Sequence, residues 1–515
     1  MPLPIVHIEL RAHEMPSLQC RSRPTGKNIA LLGFALCWAL LPGTGSGAQF
    51  EGTATNYGRE ECITLDHFSK ESGAQYLEKD SAQEAKLCGI GFDSKTIGLC
   101  PKIWSTSPGT IVYDITGSQY SGHPETFENE YCAKQRQLRH KVAGVDRLAA
   151  YKQSINGQFG QHTSATFSQA SPLYYHFARY FNTTVDVPVA TVRTTDAHRH
   201  FARVAVRGRA IAPRGMILAG WNVVTSAEQN PTAYSPVNEF YYGDPKDHLI
   251  YGTMLKAQGT RYGPEFNGNI SGKGYSQQYE FLQKTPAFLA LASPENLVDA
   301  MSSGLNESRK DPIVARALGP NVSREQMMFW MTELSEICLL DYIFNQQDRP
   351  GNIDYRWVRY YVDQQGKLKS KRVDSKMGHA GIGSIKMPDD LNGSTKVYLI
   401  QKTHINDNDA GGRRYTNFTK KFDLLEKLEH MKAITYRQLI HLSKDFQAKG
   451  PLYNYLGNTF YLNDDYTELI AQNTIQAANI LQSACKGGKL RFDLDPERLL
   501  TTGKVEEIPV DCLNP

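Results

Sequence analysis

The sequence predicts an α+β protein of two lobes, a strand-rich small lobe followed by a mainly helical large lobe. Three observations carry this expectation. Strand-like runs gather between residues 109 and 222, a capped apolar helix starts at Ser323 and leads into a hairpin, and the chain beyond the hairpin reads as mostly helical. The size suffices: 515 residues, of which 40% are hydrophobic and 21% charged, allow both lobes and an extra N-terminal module.

The first element in order is an export signal. Residues 29–41 are apolar, follow the basic Arg21, Arg23 and Lys27 and precede Ser46-Gly-Ala48, the pattern of a secretory signal peptide over 1–48. Met15 gives a shorter and more ordinary lead to this run than Met1. The run is too short to cross a bilayer, which takes about 20 residues, and no other apolar stretch approaches that length, so the mature chain is expected to carry no transmembrane segment. Removing the signal takes away four basic and two acidic residues and lowers the formal charge from +4 to +2. With no basic and aromatic interleaving, that balance gives no reason to expect a nucleic-acid partner.

Cysteine usage agrees with export to the periplasm, the medium or a secretory lumen. Past the signal, the polar segment 49–108 and its flank hold Cys62, Cys88, Cys100 and Cys132, which allow three pairings, while Cys485 with Cys512 would staple the tail. Cys338 is left over on an apolar helix stripe and reads as a buried free thiol. Sequons at Asn182, Asn269, Asn306, Asn321, Asn392 and Asn417 are compatible with a eukaryotic secretory compartment.

The small lobe is placed at 109–222. A strand opens it at 110–115, and 147–155 alternates so that Leu148, Ala150 and Lys152 share one face. Ser171-Pro172 marks a helix start with proline at the first helical position, and Leu173, Tyr174, Phe177, Ala178 and Phe181 form its stripe. Strands follow at 187–192 and 216–221. The large lobe, 223–515, starts with a Gly/Asn-rich insert at 230–277. Within it the stretch from Gly268 to Gly274 lacks the spacing and the preceding strand of a phosphate loop, and reads as an ordinary connection. Later helices are expected at 435–446 and 465–484.

The richest segment is 323–374. Ser323-Arg-Glu-Gln326 is a capping box, with Gln326 reaching back to the helix start. Met327, Trp330, Met331, Leu334, Ile337 and Cys338 then recur at helical spacing as core residues, opposite a polar face. Pro350 and Gly351 end the helix, so a loop hangs Asp348 and Asn352 off a rigid support. Strands at 354–362 and 367–373 around Asp363-Gln-Gln-Gly366 form a hairpin that returns Asp374 toward Asn352. Two carboxylates and an amide at one spot suit a magnesium–nucleotide site. Phosphoryl transfer needs a carboxylate to orient the attacking hydroxyl and oxygen ligands for the metal, roles that Asp348, Asn352 and Asp374 fit in that order, with Asp354 in reserve. His379, near Asp374, reads as a satisfied loop histidine.

This segment resembles the atypical kinases that include HipA-type kinases, type II phosphatidylinositol 4-kinases and secretory-pathway protein kinases. The resemblance rests on Asp341-Tyr-Ile-Phe-Asn-Gln-Gln-Asp348-Arg349, on Asn352 and on Val373-Asp374. It implies a bilobed protein-kinase-like fold and a lysine on an earlier strand, held against the nucleotide phosphates; Lys152, with the helix after it, takes that place. It implies ATP with Mg or Mn as cofactors: Lys152 on the phosphates, Asp348 catalytic, Asn352 and Asp374 as metal ligands. The chain departs from the family in having Asn352 four rather than five residues past Asp348. Ser375-Lys376 stands where Asn-Gly or Phe-Gly usually follows, with Gly378 and Gly381 nearby, and Ser171 stands near the place of the lysine's usual glutamate partner.

The expected function is that of an exported phosphotransferase, moving a phosphoryl group from ATP to a hydroxyl of a protein, lipid or glycan. The competing expectations are a catalytically inactive binding module with the same lobes, and a secreted hydrolase using Asp348 and Asp374.

Overall fold

A computed structural model describes residues 50–134, 142–155, 166–256, 259–413 and 415–515; the expected export signal, with Cys20 and Cys37, lies outside them. The α+β expectation holds, with antiparallel sheets. Strands β1 (Gly52–Tyr57), β2 (Glu60–Leu65), β3 (Ile97–Pro101), β4 (Thr110–Asp114), β5 (Asp146–Lys152), β6 (Ala190–Asp196) and β7 (Leu249–Leu255) form one sheet in the order β1-β2-β6-β7-β5-β4-β3. Every neighbouring pair is antiparallel. A second sheet is built from β8 (Thr260–Arg261), β9 (Ile353–Val362), β10 (Leu368–Arg372) and β11 (Tyr398–Ile405), with β10 and β8 on one side of β9 and β11 along the other.

Helix α1 (Ala170–Tyr180) and helix α2 (Arg324–Ile343) share one apolar core with the first sheet, where the Phe177 ring stands edge-on to Phe344, just past α2, at 5.1 Å. Helices α3 (Ala433–Gln447) and α4 (Asp464–Lys486) follow near their expected places and extend that core. Among the described residues no helix is long and apolar enough to cross a membrane.

Three expectations about elements change. The expected boundary near 108 falls inside the β3–β4 hairpin, and β1 and β2 extend the same sheet, so the cysteine-bearing lead is part of it. Residues 216–221 are not a strand but open a helix, Met216–Gln229. An apolar run of that length suits either period; here Trp221 and Val224 are buried one helical turn apart, and Gly220 lies so close to Pro108 that an added Cβ would come within 2.6 Å of its ring. The central slot in the sheet goes to β7, from within the expected insert. The Gly268–Gly274 stretch is a loop between short helices at Pro264–Asn267 and Tyr275–Leu282.

Helix α2 begins as expected, Ser323 accepting from the Gln326 amide at 3.1 Å. The Gln326 side chain does not turn back to the cap. It bonds the Gln401 backbone of β11 in both directions, at 2.8 and 3.1 Å. Nor is the opposite face polar and solvated: every residue from Gln326 to Ile343 is buried. The acids on that face each bond backbone through one oxygen, while Oε1 of both Glu333 and Glu336 has no hydrogen bond. Glu336 accepts the amides of Thr184 and Val185 at 2.7 and 2.9 Å, and Glu333 accepts that of Thr403 at 3.1 Å.

Disulfides join Cys62 to Cys88, Cys100 to Cys132 and Cys485 to Cys512, while Cys338 is free and buried. This usage fits an oxidising compartment. Among the sequons, Asn269, Asn306 and Asn321 are exposed, whereas Asn417 is buried and gives its amide to the Tyr342 carbonyl at 2.8 Å.

Burial raises the Glu333 carboxyl well above the usual range, outweighing Thr403 and Lys402, which lower it. A carboxyl that holds its proton more readily folded than unfolded favours the fold in acid, and that contribution is lost as the pH rises through its folded pKa. Glu333→Gln should therefore melt higher than wild type near about pH 8, with the gap closing toward about pH 4. Melting temperatures across that range check this; a gap that does not vary with pH would contradict it.

Candidate active site

The site forms where β5, the loop after α2 and the loop after β11 meet. Strand β5 delivers Lys152 at its end, 5% exposed. Strand β11 runs antiparallel to β9 over eight residue pairs, from Tyr398 opposite Tyr360 to Ile405 opposite Ile353. The next residue continues the zip, Asn406 donating its amide to the Asn352 carbonyl at 3.1 Å. The chain then turns through Asp407, whose φ of +48° lies in the left-handed region that aspartate tolerates better than most residues.

That turn places two carboxylates on the lysine. Lys152 Nζ donates to Asp407 Oδ1 at 2.7 Å and to Asp409 Oδ1 at 2.8 Å. Asp409 is 2% exposed, and its other oxygen accepts from the Ser107 hydroxyl at 2.9 Å. Burial works against the ammonium, yet the two carboxylates outweigh it and hold Lys152 protonated beyond the usual lysine range. Lys152 in turn holds Asp407 far below the ordinary carboxylate range, with Lys102 adding to the effect. No glutamate from α1 meets the lysine; its carboxylate partners are Asp407 and Asp409.

The loop after α2 is fastened from beneath. Arg349, 1% exposed, makes a forked pair with Asp341 of α2, with contacts at 2.8, 2.8 and 3.2 Å. Its remaining donors reach the Asn406 carbonyl and Asn408 Oδ1, both at 3.0 Å. The guanidinium lies over the Tyr174 ring, and the Tyr174 hydroxyl donates to Asp341 at 2.7 Å. Arg349 thus ties the loop carrying Asp348 to the loop carrying Asp407. Asp348 is free of that pair: its backbone carbonyl accepts from Asn352 Nδ2 at 2.7 Å, and its carboxyl is half-buried. Burial first, then Asp407 and more weakly Asp409, push that carboxyl up to about 6.

A cleft of about 800 Å³ opens beside these groups. Ala150, Leu255, Tyr355 and Trp357 give it apolar walls, and Trp104 stands at its edge, 43% exposed. Its charges are unbalanced, with Lys102, Arg147, Lys152, Arg261, Arg356 and Arg372 against Asp354, Asp374 and Asp407. Burial pulls Lys102 down to about 8, although Asp407 opposes this. A cavity of this size and charge suits an anionic ligand with a flat apolar part.

Lys152 and Asp407 line this cleft, Asn352 is joined to Asp407 through the Arg261 guanidinium, and Asp348 adjoins Asn352, whose side-chain amide its carbonyl accepts. Asp374 lines the same cleft as Lys152 and Asp407. It caps the short helix Ser375–Ala380, accepting from the Lys376 amide at 2.9 Å, and Lys152 bonds Asp407 and Asp409 instead. The hairpin register explains this: Arg372 pairs with Val358, so β10 ends level with the middle of β9, while β11 reaches its start. Reserve Asp354 is 6% exposed and takes the Asn406 side-chain amide on one oxygen. His379 sets its ring edge-on to Trp357 at 5.9 Å.

Sequence reasoning missed Asp407, Asp409, Ser107 and Arg261. One signal was present, the run Asn406-Asp407-Asn408-Asp409, which favours a turn. The strand before it is interrupted by Lys402 and His404, and hides its period. Among the described residues no group of three or more His, Cys, Asp or Glu is placed to hold a metal ion alone. Oxygens do gather, however: Asn352 Oδ1, Asp407 Oδ2 and Asp354 Oδ1 stand 2.7, 3.3 and 3.3 Å from the Arg261 guanidinium. This donor set fits a hard cation that keeps water and ligand oxygens in its shell.

Removing one member of the Arg349–Asp341 pair leaves a buried charge alone. Arg349→Ala should lose about 3–5 kcal/mol of unfolding free energy, and Arg349→Lys should recover only part because it cannot make the fork. Urea unfolding measures both; a loss under about 1 kcal/mol for the alanine variant would contradict the role given to this pair.

No protein-family model matches this chain, and no similar curated protein was found.

Proposed function

We propose that this chain is a nucleotide-dependent phosphotransferase, using ATP with magnesium or manganese and acting on a hydroxyl acceptor. The observation that carries the reading is the Lys152–Asp407 ion pair at 2.7 Å on the wall of a cleft of about 800 Å³, with Asn352 joined to Asp407 through Arg261. The strand order supports a protein-kinase-like arrangement, since β5, an inner strand between β4 and β7, bears the lysine and the 102–109 loop of the β3–β4 hairpin sends Lys102 and Trp104 to the cleft.

In this reading Lys152 and Lys102 hold the phosphates, while the base lies against the walls formed by Ala150, Leu255 and Trp357. Asn352 and Asp407 supply oxygens to the divalent ion, which neutralises charge building up on the transferred group. Asp348 receives and orients the acceptor hydroxyl. Its raised pKa makes it a better proton acceptor than an ordinary aspartate while leaving it mostly ionised near neutrality. Arg349 keeps these two loops in mutual register.

A binding module without turnover uses the same residues. The full engagement of Lys152 by two carboxylates favours it.

Thermal shift with magnesium–ATP tests the reading. A bound ligand at about 100 times its Kd adds about 2.7 kcal/mol to the folded state. Wild type and Asp374→Asn should both gain metal-dependent stability, and Asp407→Asn should lose it. No gain in wild type removes the reading, and a gain without phosphate transfer assigns the binding module.

A further inference from the structure

Arg261 sits where a cation is wanted. It belongs to the two-residue edge strand β8, and the pairing of β8 with β9 sets it opposite Asp354. Its side chain is about half exposed, yet the guanidinium turns inward and meets four oxygens from two stretches of chain, 351–354 and Asp407. It donates to the Gly351 carbonyl, to Asn352 Oδ1 at 2.7 Å and to Asp407 Oδ2 at 3.3 Å, and pairs with Asp354 Oδ1 at 3.3 Å. Asp354 is buried, and that same Oδ1 has no hydrogen bond. An arginine that only needed a surface partner would not gather a carbonyl, an amide oxygen and two carboxylates.

We propose that Arg261 is a resident counter-cation for a divalent-metal site made of Asn352, Asp354 and Asp407, and that it makes metal entry depend on a polyphosphate. The inference rests on the phosphotransferase reading for the identity of that polyphosphate. A bare divalent ion must expel the guanidinium without offering it a new partner. A metal–polyphosphate brings its own anion, which Arg261, anchored at the cleft edge by β8, meets as it leaves the oxygens. Metal and polyphosphate therefore bind with positive coupling, and by linkage each raises the affinity of the other equally.

The test compares wild type, Arg261→Ala and Arg261→Gln by electron paramagnetic resonance titration with Mn²⁺, with and without ATP. If Arg261 fills the oxygen cage about nine-tenths of the time, its removal tightens binding of Mn²⁺ alone about 10-fold, because apparent affinity scales with the competent fraction. The same variants should show less enhancement of Mn²⁺ binding by ATP than wild type does. Mn²⁺ affinity that is unchanged or weaker in both variants, or no Mn²⁺ bound by any of the three proteins, overturns the proposal. Tighter Mn²⁺ binding in the variants with no ATP effect in any protein upholds the counter-cation and removes the phosphotransferase reading. An ATP effect in wild type with unchanged Mn²⁺ affinity in the variants does the reverse.

Discussion

The ammonium of Lys152, held between Asp407 and Asp409, joins the first sheet to the loop that leaves the second. Taking such charges out of water costs several kcal/mol per ion, and the cost is offset only where the geometry is close and the remaining lone pairs are filled. Both conditions hold: the lysine contacts are 2.7 and 2.8 Å, and Ser107 satisfies the second oxygen of Asp409. Arg349 grips the same loop from the other side through Asn406 and Asn408. A turn with a left-handed aspartate at its apex is thus fixed by one cation above and another below. The raised carboxyl of Asp348 follows, since it shares a partly dry space with anions already committed to those cations.

Helix α2 does more than fill the core. Its buried acids each anchor a different piece of chain: Glu336 the turn at 184–185 and Glu333 strand β11 from the far face, and Asp341, at the end of the apolar stripe, the arginine of the loop after α2. A central helix has no solvent side, so a polar residue on it must find a partner from a neighbouring element. Those partners bring the 184–185 turn, β11 and the Arg349 loop to defined positions along one axis.

Local features of the site were legible in the sequence. The Ser323 cap, the apolar stripe of α2, the Pro350-Gly351 break and the β9–β10 turn are all written within a few residues of where they act, and they placed Asp348 and Asn352. Alternation at 147–155 likewise put Lys152 on a strand face. Asp407 was not legible, because its place depends on which distant strand pairs with the start of β9. The hairpin neighbour β10 was the natural candidate from sequence, but β11, with Lys402 and His404 breaking its pattern, makes the longer ladder. Lys402 is there to pair with Asp186 at 3.0 Å, a contact that no local pattern announces. The helix at Met216–Gln229 was missed for a related reason: β7 occupies the slot, and an apolar run cannot report what already fills the place beside it.

Between Val362 and Tyr398 the chain leaves the ladder, makes β10 and the short helix Ser375–Ala380, and exposes Met377, Ile382 and Met387 before returning. The β9–β11 register closes without it, since the pairs from Tyr398–Tyr360 to Ile405–Ile353 lie wholly outside the excursion. The excursion still contributes Arg372, Val373, Asp374 and Ser375 to the cleft wall, so one wall hangs on a separable appendage while the ladder that places Asp407 is framed without it.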